Sequence, residues 1–296
     1  MMNTTKNYLF SLLFYSSYGT GILIASDLLD VNEAADYATL NDITRPKADI
    51  DGRVPTLNKK GAMSPQLDLI SQKFIKLSSN PNTRVLEIGS SYGLACMESL
   101  NAGCQEYWAN DMDKNHLFIL ARSIKENQPR HLKNLKLIPG TFPNEISPKS
   151  NYFDAILCAR VLHFMNPEAA AESISMAHKF LKPGGKIFAV MLSPYVKGYR
   201  SFIPEFTLRV SKGVRFPGYV DDLSVFADPE LIPPNDQQKY GLKQPFMFFN
   251  IESAKSAFQD AGFYIDEVVE MPLPYHSPIW QLDGRENIGL IATKIY

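Results

Sequence analysis

Short apolar runs alternate with stretches of helical periodicity along most of the chain. The clearest case is residues 84–100, where an apolar run stops at a turn with two glycines and apolar residues then recur at helical spacing. This order predicts a strand, a tight turn and a helix. Helical patterns separate most of the strand-like runs, which predicts an α/β fold. The runs that predict strands are residues 84–88, 105–110, 135–138, 182–190, 263–271 and 287–294, and a seventh strand is predicted within residues 152–164.

Several helix starts are marked by a capping residue. Asp113, Asn166 and Asn250 each stand directly before a helical pattern. A short polar side chain at this position accepts a hydrogen bond from the first turn of the helix. Ser64, followed by a proline, precedes the helical pattern of residues 67–77, so a helix start is predicted there as well.

The turn after the first strand is suited to a ligand. Gly89 and Gly93 allow backbone angles and close approach that a side chain would prevent, so amides at the helix start can face a polar or anionic group. A dinucleotide site would need the spacing G-x-G-x-x-G, but Ser91 and Leu94 stand where its second and third glycines belong. The spacing present is E-x-G-x-x-x-G, which begins at Glu87.

A second acidic residue follows at the end of the next predicted strand. Asp111 stands 18 positions after Gly93. A carboxylate about 20 positions past a glycine loop is placed to accept hydrogen bonds from both hydroxyls of a ribose. We therefore predict that Asp111 binds a ribose.

These motifs, together with three later ones, resemble those of the class I S-adenosylmethionine-dependent methyltransferases. The later motifs are the apolar strand in residues 152–164, the Lys-Pro-Gly-Gly turn at residues 182–185, and a C-terminal helix, Ala-Gly-Phe turn and Ala-Thr-Lys strand. The last is similar to the signature of the small-molecule enzymes of this class. The resemblance implies a Rossmann-like, doubly wound sheet of seven strands, mostly parallel with an antiparallel last strand, and helices on both faces. It also implies S-adenosylmethionine as the cofactor.

The resemblance implies roles for individual residues. Glu87 would reach the amino-acid part of the cofactor, and Asp111 its ribose. Met112 would lie on the adenine face, with Thr141 and Phe142 at the edge of the ring. The full set of predicted cofactor-binding residues is Glu87, Gly89, Ser90, Ser91, Gly93, Asp111, Met112, Thr141, Phe142, Cys158 and Ala159.

The resemblance also divides the chain into four parts. Residues 1–63 would form an N-terminal extension and cap, 64–192 the cofactor-binding core, 193–249 an insertion and 250–296 the C-terminal part of the core. The insertion is too long for a plain connection and is rich in aromatic residues and proline. In the family such an insertion forms a lid, here over a small, largely apolar or aromatic acceptor. A separate small core or a dimer contact is the alternative.

Five residues are predicted to act on the acceptor. Tyr195, Tyr199 and Arg200 follow the fifth strand, and Tyr37 is a candidate to cover the site. His163, just beyond the fourth strand, is the candidate general base, because the ordinary pKa of histidine lies near the working pH. A structural histidine is the alternative. An acid acceptor would need no base, and Arg200 could then pair with its carboxylate.

Charge and cysteine content limit the classes of partner and site that the sequence predicts. The 296 residues include 30 basic and 31 acidic side chains, with a formal net charge of -1, which disfavours nucleic acid as a main partner. Cys96, Cys104 and Cys158 have no C-x-x-C spacing, so neither a metal site nor a disulfide framework is expected. For Cys158, strand packing is preferred over a nucleophilic role. The sequence does not predict the oligomeric state.

The first thirty residues contain two apolar stretches that are interrupted at residues 16–21. The segment is too polar for a membrane span, which needs about 20 apolar residues. The interruption also argues against a secretory signal, which remains the alternative. Because S-adenosylmethionine is made in the cytoplasm, we expect a cytoplasmic protein.

The resemblance thus implies methyl transfer from S-adenosylmethionine to an oxygen, nitrogen or carboxylate of a small molecule. Such a transfer is an in-line displacement, in which the protein aligns the two reactants and keeps out water. A protein methyltransferase is one alternative. A non-catalytic domain that binds the cofactor or a partner is another, because Ser91 and Thr141 depart from the family pattern.

Overall fold

The computed structural model describes residues 28–239, 241–273 and 279–296. The two apolar stretches before residue 26, and with them the secretory-signal alternative, lie outside these residues. Within the described ranges, no helix has both the length and the apolar composition needed to cross a membrane.

The α-helices of the described residues agree with three of the predicted starts. Asp113, Asn166 and Asn250 each accept a hydrogen bond from the first turn of the helix that follows. These capping predictions are confirmed. The helices are α1 (Val31–Leu40), α2 (Leu69–Ser78), α3 (Leu94–Asn101), α4 (Lys114–Asn127), α5 (Pro167–Phe180), α6 (Ile203–Ser211), α7 (Pro234–Lys239) and α8 (Ile251–Asp260).

The helix predicted to start at Ser64 begins later, so that prediction is wrong. Asp68 caps α2, because its Oδ1 accepts from the Ser71 amide at 2.8 Å and its Oδ2 from the Ser71 hydroxyl at 3.1 Å. Asp68 is 4% exposed and also pairs with Arg160 at 2.8 Å. This tertiary contact, which local sequence does not reveal, favours Asp68 over Ser64 as the cap.

All seven predicted strands form, and four strands of two residues occur besides them. The short strands pair as two separate hairpin-like ladders outside the main sheet. The strands are β1 (Val54–Pro55), β2 (Ala62–Met63), β3 (Arg84–Ile88), β4 (Glu106–Asp111), β5 (Leu135–Pro139), β6 (Phe153–Ala159), β7 (Leu181–Leu192), β8 (Tyr219–Val220), β9 (Phe246–Met247), β10 (Phe263–Met271) and β11 (Asn287–Lys294).

The main sheet has the strand order β10-β11-β7-β6-β3-β4-β5. The last strand, β11, is antiparallel to β10 and β7, and the pairs among β7, β6, β3, β4 and β5 are parallel. The predicted mostly parallel sheet with an antiparallel last strand is confirmed. The chain runs from β3 to β5 towards one edge and continues from β6 towards the other. Ligands of such sheets bind at the carboxyl ends of the strands where the order reverses.

Helices cover both faces of the sheet. On one face, α2, α3 and α4 contribute Phe74, Leu100 and Leu117 to one apolar cluster. On the other, α5 and α8 contribute Ile174 and Phe258 to a second cluster. A sheet of parallel strands is buried on both faces, which explains its continuous apolar runs. The doubly wound architecture is therefore confirmed.

Residues 193–249 build a third apolar cluster beside the sheet. Phe202, Phe206 and Phe248 are buried in it, and Leu273 and Trp280, from the chain that follows β10, complete it. Neighbouring rings lie with centroids 5.5 to 6.1 Å apart, as for Phe202 with Phe248 and with Phe206. The insertion is therefore packed by its own aromatic residues and also by residues from outside it.

Candidate functional site

A cavity of about 670 Å³ lies at the carboxyl ends of β3, β4 and β6. Its wall includes Ile88, Asp111 and Ala159, which are the last residues of those three strands. The volume is within the range of pockets that hold small molecules. The cavity thus occupies the place where the strand order reverses.

Most of the predicted cofactor-binding residues lie in the wall of this cavity. Gly93 and Cys158 do not, because Gly93 is the N-cap of α3 and Cys158 is 2% exposed within the core. Burial raises the pKa of the Cys158 thiol to about 12. Cys158 is thus a packing residue and no longer a candidate cofactor contact. The predicted residues in the wall are Glu87, Gly89, Ser90, Ser91, Asp111, Met112, Thr141, Phe142 and Ala159.

Both glycines of the turn are required by neighbouring side chains. Gly89 has φ +72° and Gly93 has φ +83°. Residues other than glycine rarely adopt such positive backbone angles. A Cβ atom on Gly89 would lie 2.5 Å from Cγ2 of Val161, and one on Gly93 would lie 2.2 Å from Cδ1 of Leu120. The close approach that the spacing predicts is therefore made by the protein's own side chains.

The amides of the turn are already hydrogen bonded. Ser90 donates to the Asn110 carbonyl at 2.8 Å, Ser91 to Oδ2 of Asp111 at 2.8 Å, and Gly93 to the Ser90 carbonyl at 2.9 Å. These three amides are therefore not free to face a ligand, because the turn uses them to hold its own shape. The Ser90 and Ser91 hydroxyls are buried and find no partner among the described residues. These hydroxyls in the cavity wall are the polar groups that a ligand can satisfy.

Asp111 is held in place by three hydrogen bonds. Oδ2 accepts from the Ser91 amide, and Oδ1 accepts from the Asp113 amide at 2.9 Å and from Nδ1 of His116 at 3.0 Å. The Leu57 amide donates to Nε2 of His116 at 3.0 Å, so the imidazole proton must be on Nδ1. A carboxylate oxygen accepts about two hydrogen bonds. Oδ2 can therefore accept one more, which suits a single ribose hydroxyl.

The segment that contains β1 and β2 joins the two ends of the cavity. At one end the Tyr92 hydroxyl donates to the Pro55 carbonyl at 2.8 Å, and the Tyr92 ring lies with its centroid 4.9 Å from that of His116. At the other end a Cβ atom on Gly61 would lie 2.9 Å from Cζ of Phe164. The N-terminal extension thus forms part of the wall, which the sequence did not predict in detail.

Glu87 is buried next to a second acidic residue. Its Oε2 accepts from the Tyr107 hydroxyl at 2.7 Å. Burial, opposed in part by the Tyr107 hydrogen bond and helped by the charge of Asp111, raises the pKa of Glu87 to about 8. A nearby cation would favour the ionised carboxylate. This environment is compatible with binding an ammonium group.

The residues expected around an adenine ring offer few side-chain donors. The Thr141 amide donates to Oε2 of Glu145 at 2.7 Å, a bond that lowers the pKa of Glu145. The Phe142 ring is buried against Phe180, with the centroids 6.2 Å apart. Met112 is 47% exposed in the cavity wall. An adenine contact at this point would use Met112 and the Phe142 backbone.

His163 lines the cavity, but its environment does not suit a base. The Leu192 amide donates to Nδ1 of His163 at 3.3 Å, so the proton lies on Nε2. The ring is 4% exposed and stacks on Phe246 at 4.7 Å. Burial, with a contribution from the charge of Arg160, lowers the pKa of His163 to about 3. The structure favours the structural interpretation, with Nε2–H as a donor.

Of the four predicted acceptor contacts, Tyr199 alone lies in the cavity wall. Its ring is buried and lies with its centroid 5.9 Å from that of Trp280. The other three side chains lie elsewhere because they contact different partners, which corrects the prediction for them. These contacts are Tyr37 with Phe118 at 4.9 Å between centroids, Tyr195 with the Arg285 guanidinium at 3.8 Å, and Arg200 with Asp228 at 3.0 Å.

The sequence did not single out several residues that the cavity brings together. Arg160, Asp68, Phe246 and Trp280 all line it. Arg160 directly follows β6 and was open to prediction by its place at a strand end, whereas Phe246 and Trp280 are far away in the chain. In the part of the chain that the structure describes, no cluster of three or more His, Cys, Asp or Glu side chains is arranged to hold a metal ion.

Comparisons with known proteins agree with this geometry. A family model described as a methyltransferase domain matches residues 85–185. A methyltransferase from Methanosarcina mazei has a TM-score of 0.54 and 15% identity, covering 75% of this chain and 97% of that one. One from Mesorhizobium loti has a TM-score of 0.50 and 15% identity, covering 76% and 97%. At this identity the likeness shows the fold. No curated protein matches the chain significantly.

The family match and the fold support the same conclusion. Residues 85–185 include β3 to β6 and therefore the strand ends that form the cavity. The sheet order and the acidic residues at the carboxyl ends of β3 and β4 agree with the sequence motifs. Residues 85–185 thus match a methyltransferase domain, and the chain has the Rossmann-like fold of S-adenosylmethionine-dependent methyltransferases.

Proposed function

We propose that this protein transfers a methyl group from S-adenosylmethionine to a small molecule. The observation that supports this most directly is the composition of the cavity wall. This wall includes Glu87 and Asp111 at one end and Phe246 and Trp280 at the other. A cofactor and a small acceptor would then share one cavity at the strand ends.

The residues at the first end fit the cofactor. The hydroxyls of Ser90 and Ser91 are buried without a partner among the described residues, and Oδ2 of Asp111 can accept another hydrogen bond. Unsatisfied buried polar groups cost about 1–3 kcal/mol each, so a ligand that pairs with them gains affinity. We assign the ribose to Asp111, the amino-acid part to Glu87 and the adenine to Met112 with the Phe142 backbone.

The second end fits an apolar or aromatic acceptor. Tyr199, Leu223 and Phe246 come from residues 193–249, and Phe164 and Trp280 join them in the cavity wall. We propose that this insertion acts as the acceptor-facing lid between the two parts of the core. Such a wall excludes water and aligns the acceptor, while the cofactor supplies an activated methyl group on a sulfonium. Because this cofactor is made in the cytoplasm, we also propose that location.

Calorimetric titration with S-adenosylhomocysteine tests the cofactor site. We expect micromolar binding to the wild type and at least about tenfold weaker binding to Asp111→Ala, a loss of about 1.4 kcal/mol. An Asp228→Ala variant, which changes an acidic residue outside the cavity, should bind like the wild type. Absence of binding to the wild type would overturn the proposal and support a non-catalytic domain.

Transfer of a labelled methyl group in extract tests the acceptor class. We expect the label in small products that pass a size filter and depend on Asp111. Label in large, protease-sensitive products would instead identify a protein methyltransferase. Cofactor binding without any labelled product in extracts would favour a non-catalytic binding domain.

A further inference from the structure

We propose that the methyl acceptor is a small carboxylic acid whose carboxylate is bound by Arg160 and methylated to an ester. This inference rests on the proposed methyltransferase function and specifies its substrate class. It begins from the position of Arg160, the first residue after β6 and part of the cavity wall.

Arg160 is held rigidly at the strand end. Its backbone has φ +61°, which is uncommon for a residue other than glycine, and its amide donates to the Val190 carbonyl at 2.7 Å. Its Nη1 donates to Oδ2 of Asp68 at 2.8 Å. Asp68 is in turn fixed by the amide and hydroxyl of Ser71. An unusual backbone angle that the surroundings maintain is often found at a functional site.

Most of the hydrogen-bonding capacity of Arg160 is unused. A guanidinium has five N–H donors, and Asp68 accepts from one of them. Nη2 is buried and has no acceptor among the described residues. An unpaired buried donor of this kind is costly, and a planar carboxylate pairs with a guanidinium through two parallel hydrogen bonds. A small shift on binding would bring an arriving carboxylate to this donor.

His163 adds a second donor near Arg160. Because the Leu192 amide donates to Nδ1, Nε2 carries the proton and cannot accept one. Burial and then the charge of Arg160 lower the pKa of His163, and both side chains line the cavity. A negatively charged oxygen bound here would meet donors from both side chains.

The wall residues around Arg160 favour an acceptor that is apolar except for one negative charge. Phe164, Phe246 and Leu192 lie in the same part of the wall. The other cations of the wall already have partners: Arg53 pairs with Asp49 and Asp51, and Lys60 donates to Gln244. Arg160 is thus the cation of the wall whose side chain has a buried donor without an acceptor among the described residues.

A carboxylate also suits the acceptor end of the wall, which lacks a suitable base. His163 has a pKa of about 3, both nitrogens of His116 are hydrogen bonded, and Asp68 pairs with Arg160. A carboxylate is already ionised near neutral pH and needs no base. Its oxygen lone pair would form the new O–C bond to the methyl carbon as the C–S bond breaks. The electron pair of that bond stays on sulfur, so the sulfonium charge is lost and no proton moves.

Paired small acids and their primary amides test this inference on the full chain. Ligand-observed NMR would compare benzoic and alkanoic acids with the matching amides, in the presence of S-adenosylhomocysteine. We expect at least one acid to bind the wild type at least about tenfold more tightly than its amide. If every acid binds no better than its amide, the inference is overturned.

Variants then assign the selectivity to Arg160. Arg160→Met should reduce the preference for the acid by at least about tenfold, and Arg160→Lys, which keeps the charge beside Asp68, should retain part of it. Arg200→Met is the matched control, because Arg200 is exposed outside the cavity. If Arg160→Met does not fold, the double variant with Asp68→Asn removes the unpaired carboxylate. Unchanged acid selectivity in a folded Arg160 variant would contradict the assignment.

A further comparison separates the acceptor's carboxylate from that of the cofactor. S-adenosylhomocysteine and 5′-methylthioadenosine share the nucleoside, but the second lacks the amino-acid group. We expect Arg160→Met to bind both like the wild type. If the variant loses affinity for S-adenosylhomocysteine but not for 5′-methylthioadenosine, Arg160 binds the cofactor's carboxylate, and the inference is overturned while the proposed function stands.

The chemical stability of the methylated product tests whether an ester is formed. With labelled S-adenosylmethionine and a selected acid, we expect a product that releases labelled methanol in alkali, as an ester does. A label that survives alkali would overturn ester formation. Failure of S-adenosylhomocysteine to bind the wild type would instead mean that the proposed function itself is wrong, so the two failures are distinguishable.

Discussion

The two ends of the cavity are built in different ways. At the cofactor end, polar groups such as Asp111 and His116 are hydrogen bonded to one another before any ligand is present. At the acceptor end, aromatic rings such as Phe246 and Tyr199 pack as part of a separate apolar cluster. A network of directed bonds favours one ligand geometry, whereas apolar packing accepts any ligand of suitable shape. The comparison suggests that cofactor binding and acceptor binding can be damaged separately.

The largest expected effect is at the acceptor end. Phe246 is 3% exposed and touches His163, Phe164 and Phe248. Phe246→Ala should reduce the free energy of unfolding by about 3–5 kcal/mol, because a buried ring is lost and a cavity remains. Urea denaturation measures this change, and calorimetry should show unchanged binding of S-adenosylhomocysteine to the folded variant. Loss of that binding would mean that the two ends are coupled.

A smaller loss is expected from the turn at the cofactor end. In Gly93→Ala the new Cβ would lie 2.2 Å from Leu120, and the residue would keep φ +83°. We expect a loss of about 2–4 kcal/mol in urea denaturation from overpacking and backbone strain. Gly184→Ala is the control, since Gly184 has φ +79° with nothing within 4 Å of the new atom. Equal losses in both variants would show that backbone strain alone is responsible.

Removal of the His116 imidazole tests the network that fixes Asp111. His116→Leu leaves the Leu57 amide and Oδ1 of Asp111 each without one partner, so we expect a loss of about 1–3 kcal/mol in stability. Binding of S-adenosylhomocysteine should also weaken. Tyr92→Phe removes the bond to Pro55 but leaves Asp111 untouched, and it should leave binding near the wild-type value. Equal effects of both variants on binding would argue that His116 does not position Asp111.

The last expected effect is gradual: it is a dependence of stability on pH. Because burial raises the pKa of Glu87 from 4.5 to about 8, the folded protein keeps a proton that the unfolded chain loses in this range. Stability should therefore fall as pH rises from 4.5 to about 8, by up to about 1.4 kcal/mol per pH unit. In Glu87→Gln this contribution disappears, which urea denaturation at several pH values would detect.

The contribution of His163 to the pH dependence of stability has the opposite sign. It must be measured separately from the contribution of Glu87. Its pKa in the folded protein is about 3, below the usual 6.5, so its contribution to stability is lost as pH falls from 6.5 towards 3. The difference between the wild type and Glu87→Gln cancels the His163 contribution. If that difference does not change between pH 5 and pH 8, the environment of Glu87 is not as described.

Sequence reasoning succeeded where a feature depends on residues that are close together in the chain. Glu87 and Asp111 lie at or next to the last residue of their strands, and the carboxyl ends of parallel strands meet at one edge of the sheet. The helix caps Asp113, Asn166 and Asn250 were predicted for the same reason, since a cap bonds to its own helix. Such contacts span a few residues, and local spacing is enough to find them.

Sequence reasoning failed where a contact joins residues that are far apart in the chain. Arg200 stands near the end of β7 in the chain, but its ion pair with Asp228 holds it outside the cavity. Arg160 lies in the cavity because its partner Asp68, 92 positions earlier, is buried beside it. The residue types alone do not distinguish these two arginines, because each can pair with a carboxylate.

The sequence by itself determined the α/β sheet, its strand ends and the glycine turn with its two acidic residues. These features depend on periodicity and on bonds between near neighbours. The tertiary structure alone decided that the turn amides are hydrogen bonded within the protein, that Asp111 is held by His116, and which aromatic residues and which arginine line the cavity. Packing and desolvation of residues far apart in the chain control these properties, and only the folded chain brings those residues together.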